Sequence, residues 1–169
     1  MPIDIRVLTS DDARAFRDLR LEALEREPRA FASSVEDHLA MSIEATAQRL
    51  ASQPGGNFTV GAFLYGAMIG MAGFYREDRI KTRHKGVIWG VYVTQAWRGK
   101  GVARQMLATI LGRLQTYPDL DHVTLHVTAD QAVARRLYTS LGFETFGHER
   151  RALKIGDHYI DQDQMVLWL

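Results

Sequence analysis

Val91-Tyr92-Val93-Thr94-Gln95-Ala96-Trp97-Arg98-Gly99-Lys100-Gly101-Val102-Ala103, running on into Arg104-Gln105-Met106-Leu107, is the stretch that decides the fold. It reads as a buried apolar strand, a short polar crossing, a loop with two glycines, and a helix whose apolar residues Val102, Met106, Leu107, Ile110, Leu111 and Leu114 recur at helical spacing. A glycine-containing turn therefore stands at a helix N-terminus, where several backbone N–H groups lack intrahelical partners and the macrodipole favours negative charge. Gly99 and Gly101 carry no Cβ to keep an anion off the backbone, and Arg98 and Lys100 add formal positive charge at the same spot. That chemistry suits a pyrophosphate, although the spacing is neither that of the dinucleotide-binding glycine motif nor that of the P-loop.

The spacing Arg98-x-x-Gly101-x-Ala103, directly after a strand ending in Val-Tyr-Val, resembles the pyrophosphate-binding signature of the GNAT superfamily of acetyl-CoA-dependent N-acetyltransferases. A second stretch agrees with it. Leu125-His126-Val127-Thr128-Ala129-Asp130-Gln131-Ala132-Val133-Ala134-Arg135-Arg136-Leu137-Tyr138-Thr139-Ser140-Leu141-Gly142-Phe143 resembles that superfamily's next strand and helix, ending in Leu-Tyr-x-x-x-Gly-Phe. The resemblance implies an α/β (α+β) GNAT fold: a mixed, mainly antiparallel central sheet flanked by helices. Its central strands, residues 86–93 and 122–127, are expected to splay apart and form the acetyl-CoA cleft.

The same resemblance implies the site residues. Backbone groups of Val91, Tyr92 and Val93 are expected to bond the pantetheine amides like an added strand, while the N–H groups of Arg98, Gly99, Lys100, Gly101, Val102 and Ala103 hold the pyrophosphate. Gln131 stands where the superfamily usually has asparagine, keeping the amide one methylene further out for the pantetheine arm. Tyr138 coincides with the usual general acid, a phenol of reference pKa about 10 that can donate to a thiolate whose conjugate acid is near ~8.5. Taken alone, a helical tyrosine simply packs; its surroundings, Ala134-x-x-Leu137-Tyr138-x-x-x-Gly142-Phe143, assign it the function. Direct transfer to the amine, without an acyl-enzyme, is implied as well. The run Lys85-Gly86-Val87-Ile88-Trp89-Gly90-Val91 departs from some members in having no carboxylate, so the base is left open among water, Glu22, Glu25, His84 and His126.

Bulk properties set the bounds. At 169 residues and 46% hydrophobic content the chain is most economically one domain, here an N-acetyltransferase domain over residues 1–169. Lys plus Arg number 21 against 20 Asp plus Glu, so no global field argues for nucleic acid or an anionic membrane surface. The chain has no cysteine, which excludes disulfides, thiolate metal sites and a cysteine nucleophile, and which fits a reducing compartment. Met1-Pro2-Ile3-Asp4-Ile5-Arg6 lacks a signal-peptide pattern, and no apolar run approaches the roughly 20 residues of a membrane helix, so the expectation is a cytoplasmic protein. His122 and His126 share one face of a strand without a third ligand, so no metal is expected.

Outward from the diagnostic region, Ile3, Ile5 and Val7 alternate as a first strand, and Thr9 with Asp12 caps a helix running to Arg26, ended by Pro28. Residues 31–34 read as a loop, 42–50 as a helix, and Pro54-Gly55-Gly56-Asn57 as a break. Strands over 58–64 and 67–76 meet at Tyr65-Gly66, and a charged connector, 76–85, leads to the central strand. Tyr117-Pro118-Asp119 stops the central helix, Asp130 is positioned to cap the next one through Leu141, and Gly142 ends it. Residues 143–148 and 159–168 form the last strands, around Lys154-Ile155-Gly156-Asp157.

For the acceptor, the resemblance assigns one wall to the first helices and the loop between them, with Phe31, Ser33, Ser34 and Glu36 as candidates and Trp89, Tyr92, Phe31 and Tyr159 as an apolar slot. The expected activity is acetylation of a primary amine on a small molecule or peptide terminus by a monomer or homodimer. The competing reading is a non-catalytic acyl-CoA-binding sensor or docking module.

Overall fold

A computed structural model describes residues 2–52 and 56–169; Pro54 and Gly55 of the expected break lie outside the described residues. The elements are β1 (Asp4–Val7), α1 (Ala13–Arg26), α2 (Val35–Leu39), α3 (Ile43–Ser52), β2 (Phe58–Leu64), β3 (Ala67–Arg76), β4 (Lys85–Val93), α4 (Val102–Leu114), β5 (His122–Thr128), α5 (Ala132–Ser140), β6 (Glu144–Ile155) and β7 (His158–Trp168). The strands form one seven-stranded sheet in the order β1-β2-β3-β4-β5-β7-β6. Every neighbouring pair is antiparallel except β4 and β5.

Both faces of the sheet are covered, which is why β2 is buried along its whole length. On one face Val60, Ala62, Phe74, Ile88, Val123 and Leu125 pack with Met106, Leu107 and Ile110 of α4 and with Tyr138 and Phe143 around α5. On the other, Phe63, Met71 and Tyr92 pack with Phe16, Leu19 and Ala23 of α1 and Leu50 of α3. Met106, Leu107 and Ile110 are fully enclosed, and truncating any of them to alanine costs about 2–5 kcal/mol.

Local signals explain most boundaries. The Thr9 N–H donates to Asp12 Oδ2 (2.8 Å), starting α1 through a short 3-10 turn, and the Arg6 guanidinium beside Asp12 holds that carboxyl below its usual range. Tyr65 and Gly66 both take positive φ, as the two-residue β2–β3 hairpin requires. Gly142, at φ 99°, ends α5 as expected.

Three expectations need correction. The helix α2, launched by a Ser34–Asp37 capping box, occupies part of the stretch between the expected loop and the next helix. Asp130 does not cap α5; Gln131 is the N-cap residue, and Asp130 pairs with Arg29 (2.8 Å) instead. β6 runs on to Ile155 rather than ending at His148, and only Gly156 and Asp157 remain as the turn. Its alternation is hidden because it is a largely exposed edge strand, interrupted by a bulge between Glu149 and Leu153 with Arg151 at φ 54°.

The centre of the sheet is irregular in a way that makes a site. β4 and β5 pair only through Lys85–Val87 with His122–Thr124 and then separate. On the other side of β4, Trp89 pairs with Gly73 and Tyr92 with Met71, so Gly90 and Val91 stand against one residue of β3. Gly90 carries the bulge at φ 64°, a left-handed conformation that favours glycine. Gly73 is the matching close approach, since a Cβ there would lie 2.1 Å from the Trp89 ring.

Two outcomes are expected. Gly73→Ala displaces Trp89 and lowers stability in urea unfolding by about 1–3 kcal/mol. His148, with Nδ1 at 2.7 Å from Asp163 and Nε2 at 3.0 Å from Asp161, is raised above the ordinary 6.5 chiefly by the Asp163 hydrogen bond. Its NMR titration midpoint therefore lies above that value and falls in Asp163→Asn; the stability it contributes is present at low pH and lost as pH rises through the raised midpoint.

Candidate active site

The glycine turn is a cradle made of backbone. Gly99 and Gly101 lie at φ 73° and 79°, and no atom crowds either position, so the backbone angle is what favours glycine there. The N–H groups of Gly99, Lys100 and Gly101 reach no backbone carbonyl among the described residues, and α4 opens immediately behind them with its first-turn N–H groups unpaired. Val102 is buried and Ala103 packs against the α4 face of the core, which fixes the direction of these groups.

The side-chain charges behave differently from the expectation. Arg98 donates from Nη1 to Glu27 Oε1 (2.7 Å) and from Nε to the Val93 carbonyl (2.9 Å), with its guanidinium 5.4 Å above the Tyr92 ring. Its charge is already balanced by Glu27, so it orients the turn while the N–H groups face outward. Lys100 lies with Nζ 4.3 Å above the Trp97 ring.

The parting of β4 from β5 opens beside this turn. The Thr94 N–H donates to Ile69 of β3, so the polar groups of Val93 project to the opposite side, into the gap; its carbonyl is taken by Arg98, and its N–H is left. Val91 is half-buried against the core, and the Tyr92 hydroxyl donates to Glu22 Oε1 (2.9 Å), with burial and then Glu22 raising the phenol's pKa. Gln131 opens α5 just past the end of β5, and its side-chain amide makes no hydrogen bond among the described residues. Arg104 donates to Ser140 Oγ, tying the first turn of α4 to the last of α5.

Tyr138 is buried edge-on to Phe143, ring centroids 5.9 Å apart, and burial pushes its phenol above the usual 10. Its hydroxyl has no hydrogen-bond partner among the described residues. It packs with the α4 side of the core and is not among the residues that line the large cleft.

That cleft, of about 1280 Å³, includes Phe16, Arg20, Phe31, His38, Trp89, His126 and Gln162 in its lining. Phe31, Ser33 and Trp89, three of the residues considered for the acceptor, line it. Ser34 caps α2 and Glu36 lies in its first turn, outside the lining, and Tyr159 is 51% exposed beneath Arg151 and Lys154, away from the cleft. Tyr92 supports the wall from behind, its ring 6.4 Å from Phe31. Of the four side chains left open as base, Glu22 is bound to Tyr92, Glu25 points to solvent, His84 stacks near His122 (5.6 Å), and His126 lines the cleft.

Arg20 was not a sequence candidate. It is 9% exposed, its Nη1 is enclosed without a hydrogen-bond partner, and its guanidinium stands 4.8 Å from the Phe31 centroid and 5.7 Å from that of Trp89. Burial lowers its pKa to about 10. An enclosed, unpaired cation costs on the order of several kcal/mol. The signal was its place on the apolar stripe of α1, among Phe16, Leu19 and Ala23, where charge is out of pattern.

With this geometry in place, comparison with known proteins is decisive: residues 15–143 match the acetyltransferase (GNAT) family. The chain belongs to the GNAT acetyltransferase family. Among curated relatives, this GNAT chain is 37% identical over 70 residues to the L-2,4-diaminobutyric acid acetyltransferase of Streptomyces anulatus, covering 41% of this chain and only 38% of that protein. It is 29% identical over 120 residues to the L-amino acid N-acetyltransferase AaaT of Escherichia coli, covering 70% of this chain and 72% of that protein. The fold matches that of a phosphinothricin acetyltransferase from Sinorhizobium meliloti solved with acetyl-CoA, at a TM-score of 0.84 and 21% identity, over 100% of this chain and 89% of that one. Among the described residues of the GNAT chain no three His, Cys, Asp or Glu side chains gather to hold a metal, and no helix is long and apolar enough to cross a membrane.

Gly101→Ala tests the cradle's backbone. With open space around the new Cβ, the left-handed strain alone is expected to lower unfolding stability by about 1–2 kcal/mol in urea titrations.

Proposed function

We propose that this protein transfers the acetyl group of acetyl-CoA directly to a primary amine of a small molecule or peptide terminus. The observation that carries the reading is the run of unpaired N–H groups at Gly99, Lys100 and Gly101, opening on the β4–β5 gap where the Val93 N–H is also free of backbone partners. Such a row suits a pyrophosphate, and the gap suits an extended chain of amides added as a strand. The named relatives act on amino acids, which supports a small amine as acceptor.

In this reading the acceptor nitrogen attacks the thioester carbonyl, a C–N bond forms, the C–S bond breaks, and the thiolate takes a proton. Tyr138 supplies it: burial keeps the phenol protonated throughout the working range, so a donor is always present. The proton the amine loses goes to water or to a side chain near the acceptor; His126, which lines the cleft, supports the latter. Holding both reactants in one cleft contributes most of the acceleration.

The test is thiol release from acetyl-CoA across pools of amino acids, polyamines, amino sugars and short peptides, read with a thiol-reactive dye, to which this cysteine-free chain adds no background. Release that depends on one pool is expected. Binding of acetyl-CoA without release from any pool would favour the sensor or docking module. Tyr138→Phe is expected to lower kcat by about 100-fold or more while leaving acetyl-CoA affinity within a few-fold, and the unaltered protein to show no alkaline loss from this phenol below pH about 10.

A further inference from the structure

Of the arginines that line the cleft, Arg20 is the buried one, and it has no acidic partner among the described residues. Arg20 is 9% exposed, its Nη1 is shut from solvent without a hydrogen bond, and burial alone perturbs it, with no carboxylate close enough to offset it. Phe31 and Trp89 flank the guanidinium on their ring faces, and His38, whose Nε2–H donates to the Arg17 carbonyl (2.9 Å), is pushed toward its neutral form by burial. Asp37, the acid nearest in sequence among the cleft residues, is engaged in capping α2. Nη1 also faces the strand bulge: a Cβ on Gly90 would lie 3.3 Å from it. The unpaired donor thus faces the Gly90 bulge of β4, three residues beyond the last β4–β5 pair.

We propose that Arg20 anchors the carboxylate of the acceptor, so that the amine acetylated belongs to a free amino acid or a close carboxylate-bearing analogue. This rests on the acetyltransferase reading above. A buried guanidinium is a fixed fork of donors suited to a planar carboxylate. An amine one carbon away from that carboxylate is carried to the gap beside Gly90. A peptide N-terminus lacks the neighbouring free carboxylate and is disfavoured.

The experiment compares the common L-amino acids with their carboxamides, assayed singly, in the unaltered protein, Arg20→Lys and Arg20→Met. The best acid is expected to exceed its amide by about 100-fold or more in kcat/KM, mainly through KM, because the amide leaves the guanidinium unpaired. That ratio is expected to collapse to a few-fold in Arg20→Met and to be partly restored in Arg20→Lys. Thermal unfolding of Arg20→Met should occur at the same or a higher temperature, since an unpaired buried cation has been removed; a lower one would assign Arg20 a packing role and overturn the proposal. An acid-to-amide ratio near one, or one that survives in Arg20→Met, would also overturn it while leaving the acetyltransferase reading intact. If no amine supports thiol release, thermal shift of the acetyl-CoA-saturated protein still decides: stabilisation by acids but not amides, lost in Arg20→Met, supports the anchor, and equal or no stabilisation overturns it.

Discussion

β4 and β5 are bonded along Lys85–Val87 and His122–Thr124, and beyond those residues two adjacent strands in the middle of a sheet have no ladder between them. Backbone polar groups in such a place need partners. Part of the need is met internally, as where Arg98 covers the Val93 carbonyl, and part is left for a ligand. The bulge at Gly90 turns β4 three residues beyond its last pair with β5, and the Gly99–Gly101 turn begins five residues past the exit of Thr94 from the sheet. The β4–β5 gap, the Gly90 bulge and the glycine turn therefore all lie along one interruption of pairing.

The interruption is stable because the sheet is clamped from both sides. Met106, Leu107 and Ile110 of α4 fix one face, and Phe16, Leu19 and Ala23 of α1 fix the other. A two-sided core allows a strand to be locally unpaired without sliding, since a shift of one residue would exchange its two buried sets of side chains. Close glycine contacts serve the same end: Trp89 fits over Gly73, which seats the indole in the cleft wall.

Charge is distributed locally rather than globally, the formal balance being only +1. Arg98 is paired with Glu27, so the cradle relies on N–H groups whose positions the backbone fixes, instead of on flexible side chains. Arg29 meets Asp130 across the loops that follow α1 and β5. Arg20 alone among these three arginines is enclosed without an acid among the described residues.

Much of this was legible in the sequence. Strands 58–64 and 67–76, the Tyr65-Gly66 turn, the Thr9–Asp12 cap, the glycine turn before α4 and the ending of α5 at Gly142 are all encoded by residues a few positions apart, through periodicity, capping and left-handed backbone angles. The roles expected of residues 98–103 and 131 came from the resemblance of their motifs to the GNAT superfamily, not from that local grammar. What only the tertiary structure decided are pairings across distance: the Tyr92–Glu22 bond spans 70 residues, and the Asp130–Arg29 pair, which spans 101, takes Asp130 away from the expected cap. The bulge at Gly90 depends on register with β3, and the burial of Arg20 depends on Phe31 and Trp89 arriving from other elements. Local sequence sets backbone angles and which faces are apolar; which partner a polar group finds depends on chain that returns from far away.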